Sequence, residues 1–447
     1  MGKNQMYKIS AVLSFALVLT ACGGGGGSDP VVSKPINPSS ISSILSSSSS
    51  SLASSIISTS SISSVSSVGS AISSSSVSSS LNGELSCEAI NTVYGFASIN
   101  DQDKAYDVTG GADAGQGNYE VIVTNGVELR NAVYGSTSNQ YKDKPITVYV
   151  EGKITWANSN NSDIRLERSH VSIIGRGESA AFEGVGIEIR PVNNQTVENI
   201  VIRNMKMGLV PQSNGSGDII SLNASGTGAK IRNIWIDHNE LYNNLNAEGC
   251  TTEDCRKDFY DELVSGRGDI SNITISNNYL HDSWKTSLWG SSDDAAEDVG
   301  RRVTFHHNYW HNVNSRLPLY RYGYLHMFNN YYENVAGSGI NLRMDARGLI
   351  DGNVFENVKN PLVSIDSPKL GYWTVGTGEY ANSFVGVTHS NGGCSNGSPP
   401  CYSAQDRSTD PNPYTPNYDY SDVITPTVDT KAFVKKNAGV GKINECL

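Results

Sequence analysis

This chain has no apolar stretch long enough to cross a bilayer as a helix. Its longest, Ile9 to Leu19, falls short of the ~20 residues such a span needs. Positive charge is also in short supply: residues 83–447 carry 30 Lys or Arg against 43 Asp or Glu, a formal charge of −13. A nucleic-acid partner is therefore not expected, and an acidic ligand would have to be gripped by a local basic cluster or a bound cation. The seven cysteines include no C-x-x-C pair, which argues against a zinc ribbon. His307 and His311 stand four apart without a helical His-Glu-x-x-His context, so they are read, with His238, His281 and His326, as core or ladder residues. Gly175-Arg176-Gly177 lacks the surroundings of a dinucleotide-binding turn. Charge is absent altogether from Ser39 to Ser80, where 27 of 42 residues are serine; the scattered Ile, Val, Leu and Ala cannot offset the entropy of ordering that backbone.

What is present divides the chain in three. Lys3 and Lys8, the short apolar run and Leu19-Thr20-Ala21-Cys22 form a secretory signal whose end resembles a bacterial lipoprotein box. That resemblance implies a signal peptide over 1–21, cleavage before Cys22 and lipidation of Cys22; Gly23, in place of Asp, favours the outer membrane. Residues 22–82 form a lipidated, Ser-rich flexible linker that lets an anchored domain reach away from the membrane. Residues 83–447 form one domain, expected to be monomeric. Its six cysteines allow fifteen pairings; the expected set is Cys250 with Cys255, Cys394 with Cys401, and Cys87 with Cys446.

A phrase recurs within that domain: IVIRNMKMG, IWIDHNELYN, ITISNNYLHD, VTFHHNYWHN, LHMFNNYYEN, LIDGNVFEN. Each is a short alternating apolar stretch, a polar residue, an asparagine, then a bulky pair. The asparagines Asn204, Asn239, Asn278, Asn308, Asn330 and Asn353 are separated by 35, 39, 30, 22 and 23 residues. About 22 residues suffice for one coil of three short strands and three turns, and the longer intervals are the same coil with a loop inserted on one face. Asparagine tolerates left-handed turn geometry, and its amide can bond to asparagines above and below. The fold expected is all-β, a right-handed parallel β-helix. Leucine-rich repeats would show a leucine register with alternating helices, and a propeller a longer, regular period. The segment from roughly Cys87 to Lys142 is expected to contain the cap that covers the first strands, and the tail from about Asp406, with PNPYTPNYDY, to be irregular backbone along the outside.

The chemistry is sought in HHNYWHNVNSRLPLYRYGYLHMFNNYY, His306 to Tyr332. Pro318 cannot donate to a sheet ladder, so RLPLYR should mark a strand edge or bulge where Arg316 and Arg321 stand at fixed spacing. Two fixed guanidiniums suit an acidic polymer. Cleaving a polygalacturonate by β-elimination requires that the uronate carboxylate be neutralised, a base remove the C5 proton, and the glycosidic oxygen leave. A hard cation with oxygen ligands, reinforced by fixed cationic side chains, meets the first need.

IWIDHNEL, YDELVS with ITISNNYLHDSWKTSLWGSSD, and VTFHHNYWHNVNSRLPLYRYGYLHMFNNYY resemble, in order, the signature blocks of pectate lyases of polysaccharide lyase family one. The likeness runs from about Val148 to Val363 and includes VSIIGRG and GSGINLR. It implies a calcium-dependent lyase acting on polygalacturonate. Arg316 matches the catalytic arginine that acts as base at C5, a role that demands an unusual setting because arginine ordinarily stays protonated. Lys285 and Arg321 match residues that hold substrate carboxylates, and Arg343 a weaker substrate contact. Asp218 and Asp261 match calcium ligands. Ser265, a weak third ligand, stands where a further aspartate is usual, and Ser216 where some members carry another carboxylate, which implies a weaker cation site completed by substrate and water. Glu262 is a candidate to compensate, but neighbours on a strand point to opposite faces. Asp237 matches a position read as mainly structural. Tyr320, Tyr322 and Tyr324 are read as packing. A pectin lyase acting on esterified polymer would need a less cationic cleft. A polygalacturonase would carry paired aspartates and the Asn-Thr-Asp, Gly-His-Gly and Arg-Ile-Lys motifs, none of which is found. A non-catalytic pectin-binding protein is the remaining alternative, kept open by Ser265.

Overall fold

The structure is a computed structural model that describes residues 85–447 apart from 113–117, 135–139, 142, 143, 178, 366 and 391–413. Cys22, the linker and the Cys394–Cys401 pairing lie outside the described residues. Among those described, the strands stack into three parallel sheets of ten, eight and nine strands, sheets one, two and three. The chain visits them in turn, so that Ile270–Ser276 of sheet one is followed by Tyr279–His281 of sheet three and Ser287–Trp289 of sheet two. This is the right-handed parallel β-helix expected from the repeat. Alternation puts every second residue inside, where like side chains stack coil upon coil. Trp310, Tyr332, Phe355 and Phe384 form one such column, with ring centroids 5.7, 4.6 and 5.1 Å apart.

In most coils the corner between sheets one and three is only two residues long, and it divides the two tasks the sequence assigned to one asparagine. The first corner residue takes the left-handed conformation: Asn204 (φ 58°), His238 (50°), Asn277 (52°), His307 (55°), Asn329 (48°) and Gly352. The second forms the ladder. Asn239, Asn278, Asn308, Asn330, Asn353 and Asn382 are linked amide to amide at 3.0 Å. Asn204 is thus misassigned by one position; Met205 fills its ladder slot, donating its backbone N–H to Asn239 at 3.1 Å. Asn382, which no repeat phrase flagged, extends the ladder by a coil.

Each ladder amide also satisfies backbone groups that the tight corner leaves unpaired. Asn308 accepts from the Asn278 N–H and donates to the Ile275 carbonyl, at 3.0 and 2.8 Å. Asn308→Ala would strand both in a fully buried position. The expected cost is about 2–5 kcal/mol from two unsatisfied buried groups, read as a lower denaturation midpoint with an unchanged slope. A loss under about 1 kcal/mol would mean that water or a shift of the corner replaces the amide.

Two of the three long repeat intervals contain loops abutting sheet two. One, Asn243 to Leu263, carries the helix Glu253–Phe259 and the Cys250–Cys255 disulfide. The other follows Trp289. The cap is narrower than expected: the helix Gly126–Val133 covers the first coils with Leu129, Ala132 and Val133. Residues nearer Cys87 run instead along sheet one, where the N–H groups of Phe96 and Ala97 donate to the hydroxyl oxygens of Thr304 and Thr274. The tail is not wholly irregular, because Thr427–Asn437 is a helix, set against Tyr309 and Tyr331 of sheet three. The sequence signal for it is weak: only Thr427, Thr430 and Val434 are buried on its face. Cys87 and Cys446 are bonded, as expected, tying the two ends of the domain together.

Candidate active site

Sheet two positions the site through β1 (Ile220–Ala224), β2 (Val264–Gly268), β3 (Ser287–Trp289), β4 (Leu319–Arg321) and β5 (Ile340–Arg343), neighbours in that order. Asp218, Asp261 with Glu262, Lys285 and Arg316 each lie two or three residues ahead of β1, β2, β3 and β4. The lead-in segments are themselves laddered: the Asp261 N–H donates to the Gly217 carbonyl, the Ile219 N–H to the Glu262 carbonyl, and the Ser287 N–H to the Arg316 carbonyl, at 3.2, 3.0 and 2.9 Å. Successive coils, ~4.8 Å apart, therefore stack these side chains in one line. Arg321 and Arg343 stand directly beside each other at the far ends of β4 and β5.

Asp218 accepts from the Glu262 N–H at 3.0 Å and from the Ser265 hydroxyl at 2.8 Å. Ser265 thus faces the site as a hydrogen-bond donor to a carboxylate rather than as an acid. The carboxylates of Asp218, Asp261 and Glu262 lie within 4.8 Å of one another. Burial, and then Asp261, push the Asp218 carboxyl up to about 6, and burial pushes Glu262 well above the usual carboxylate range, with Arg316 opposing. Three converging acids, two of them raised by burial, fit a hard cation with oxygen ligands. Glu262 joins the cluster because residues 261–263 are not in a strand, so the alternation that would turn it away does not apply.

The cations meet this cluster directly. Lys285 contacts Asp258 at 2.9 Å and Asp261 at 3.3 Å. Burial would lower its ammonium pKa, but the two carboxylates more than offset this and the net shift is upward. Arg316 is ion-paired to Glu262, and its left-handed backbone (φ 65°) is uncommon for a residue with a long side chain. Pro318 lies just before β4, which is paired on both sides, rather than at a sheet edge. Arg321 turns to the second loop, donating to Asp293 at 2.7 Å and to the Gly290 carbonyl at 3.0 Å. A depression of about 400 Å³ lined by Arg165, Arg190, Asn193 and Ser225 lies farther along sheet two toward its first coils.

A family model described as pectate lyase matches residues 86–443. The chain belongs to the pectate lyase family. A pectate trisaccharide-lyase of Bacillus licheniformis is 39% identical over 369 residues, covering 82% of this chain and 92% of that protein. Among solved structures, a pectate lyase from Bacillus sp. N165 in complex with trigalacturonate is 31% identical with a TM-score of 0.60, covering 79% of this chain and 100% of that one. Pectate lyase C from Erwinia chrysanthemi, solved with 30 mM Ca2+, matches at the same TM-score with 24% identity, a likeness of fold.

Within this pectate lyase, two acids at the site carry almost no sequence signal. Asp258 and Asp293, the partners of Lys285 and Arg321, come from the inserted loops, where the repeat gives no register; their only signal is acidity beside KDFYDEL and in SSDD. Glu262 was set aside on a strand rule that does not hold there. Other expectations stand apart from the site. Asp237 is fully buried on sheet one, bonded to Arg203 at 2.9 Å and His238 at 2.6 Å, which hold its carboxyl below the usual range despite burial. His307 packs against Phe433 and His311 against Tyr309. Tyr320 is buried beside Trp289.

Proposed function

We propose that the chain cleaves polygalacturonate by calcium-dependent β-elimination, with Arg316 as base, Lys285, Arg321 and Arg343 as carboxylate-binding residues, and Asp218 and Asp261 as calcium ligands. One observation carries the reading: a cluster of acids and a line of cations meet on adjacent coils of one sheet in a family of lyases. When bound, calcium would draw electron density from the uronate carboxylate and so acidify the neighbouring C5–H. Asp218 and Asp261 would hold it, and Ser265 would orient Asp218 through its hydroxyl. Lys285 and Arg321 fix the carboxylates of neighbouring sugars and add positive charge where negative charge develops. Arg316 removes the C5 proton; the C5–H electrons form the C4–C5 double bond, and the C4–O bond breaks with its pair leaving on the glycosidic oxygen, which is then protonated. The product is an unsaturated oligogalacturonide.

The test is ultraviolet absorbance of that double bond on polygalacturonate, with and without chelator. Absorbance that appears only with calcium supports the reading. Full absorbance in chelator removes calcium from it, and new reducing ends without absorbance would indicate hydrolysis. Loss of both, with polymer still bound, would favour the non-catalytic alternative.

For its placement, we propose export through residues 1–21 and anchoring to the outer membrane by lipid on Cys22, with residues 22–82 as tether. Support comes from the Leu-Thr-Ala-Cys sequence and the serine-rich composition. Cys22→Ser should move the enzyme from the membrane to the soluble fraction; an unchanged membrane fraction would end the lipid proposal.

A further inference from the structure

We propose that Glu262 supplies the third protein carboxylate of the cation site, replacing the acid that residue 265 lacks, and that the same side chain positions Arg316, so that one carboxylate serves both cation and base. This rests on the calcium reading above. Three observations point to it. Glu262 is 3% exposed, and its carboxylate lies within 4.8 Å of both Asp218 and Asp261. Its backbone N–H is bonded to the Asp218 carboxylate at 3.0 Å, which locks the two residues together. Its side chain is ion-paired to Arg316. Ser265, by contrast, spends its hydroxyl on Asp218 at 2.8 Å and brings no charge.

A carboxylate has about four lone-pair sites on two oxygens, so one oxygen can face a cation while the other keeps the guanidinium. The charge deficit left by Ser265 is thus made up by a side chain that also touches the base, so that cation occupancy and the placement of Arg316 become linked.

The experiment is calcium titration calorimetry on the full chain, comparing wild type with Glu262→Gln, Glu262→Asp and the double variant Glu262→Gln with Ser265→Asp. Melting in chelator checks that each is folded. Glu262→Gln should weaken calcium roughly 10- to 100-fold, on the scale by which ligand charge tunes such sites. Ser265→Asp in the same protein should restore affinity to within about threefold of wild type, as ligand-charge count requires. At saturating calcium, the double variant should keep KM for polygalacturonate but remain low in kcat, because an acid at 265 replaces the charge but not the contact with Arg316. Glu262→Asp keeps the charge on a shorter arm and should fall between, giving a reading even if the glutamine variant does not fold. Wild-type affinity in both single variants overturns the proposal. Asp261→Asn separates the two levels: if it too binds calcium like wild type, the cation site itself is wrong, whereas loss there with no loss at 262 overturns only this inference.

Discussion

Arg316→Ala should lower the rate of unsaturated product formation by a factor on the order of 10²–10⁴, the usual contribution of a general base, while leaving polymer binding close to wild type. Binding survives because Lys285, Arg321 and Arg343 come from other strands or the far end of β4 and keep their places on sheet two. Ultraviolet absorbance reads the first quantity and retardation of the protein in a polygalacturonate gel the second. The substitution also leaves Glu262 without its guanidinium in a buried position, so a fall in melting temperature is expected alongside. Arg316→Lys separates base from counter-ion. It retains a positive charge near Glu262 and should recover stability, but its shorter, compact head group does not reproduce the planar fork and should not restore turnover. If the lysine variant turns over at the wild-type rate, charge alone explains Arg316. If the alanine variant does so, Arg316 is not the base.

The coil was legible because a β-helix repeats its physics at every rung. Short alternating stretches, an asparagine and a bulky pair recur wherever two-residue corners and stacked side chains recur, and even the shortest interval, 22 residues, was enough to fix the coil. What the pattern could not resolve was which of two adjacent corner positions did which job. In HNE, NNY, HNY and NNY both positions tolerate asparagine, and Asn204 was aligned on its letter rather than its place. The helix Thr427–Asn437 was missed for a different reason: it packs on the outside with one narrow buried stripe, and a run opening on Pro-Thr with two lysines at its end carries little periodicity.

The site divides along the same line. Residues attached to the rungs, Asp218, Lys285, Arg316 and Arg321, were legible through the resemblance of the motifs that carry them, and the sheet brings those motifs together. Asp258 and Asp293 sit in insertions whose geometry is set by local helix and turn, so no repeat predicts which acid reaches which lysine or arginine. Glu262 fell between: it is two residues ahead of β2, and the rule that neighbours face opposite sides fails where the strand has not yet begun. Lys285, Arg316 and Arg321 are each found already neutralised, Lys285 by Asp258 and Asp261, Arg316 by Glu262, Arg321 by Asp293. A uronate must displace those acids or find them drawn toward a cation, which gives calcium a part in freeing the basic residues as well as in polarising substrate.

That dependence makes Asp218→Asn the second substitution with a large expected effect. Asparagine keeps the shape: its oxygen can still accept from the Glu262 N–H, and the Ser265 hydroxyl can turn to accept from the new amide. One negative charge is removed from a site already short of the acid usual at 265. The calcium needed for half-maximal rate should therefore rise by roughly two orders of magnitude, with the rate recovering as calcium is raised further. Stability should move the opposite way in chelator. The Asp218 carboxyl is held at about 6 in the folded chain, against about 3.9 when unfolded. At pH below 3.9 it is protonated in both states and costs nothing; as pH rises through the window up to about 6, only the unfolded state ionises freely, and folding is penalised from there upward. The asparagine variant, which never ionises, should melt higher than wild type in chelator at neutral pH and show no advantage at pH 3, while gaining less from added calcium. An unchanged calcium requirement would remove Asp218 from the cation's ligands, and a lower melting temperature in chelator at neutral pH would mean that its hydrogen bonds outweigh the repulsion from Asp261.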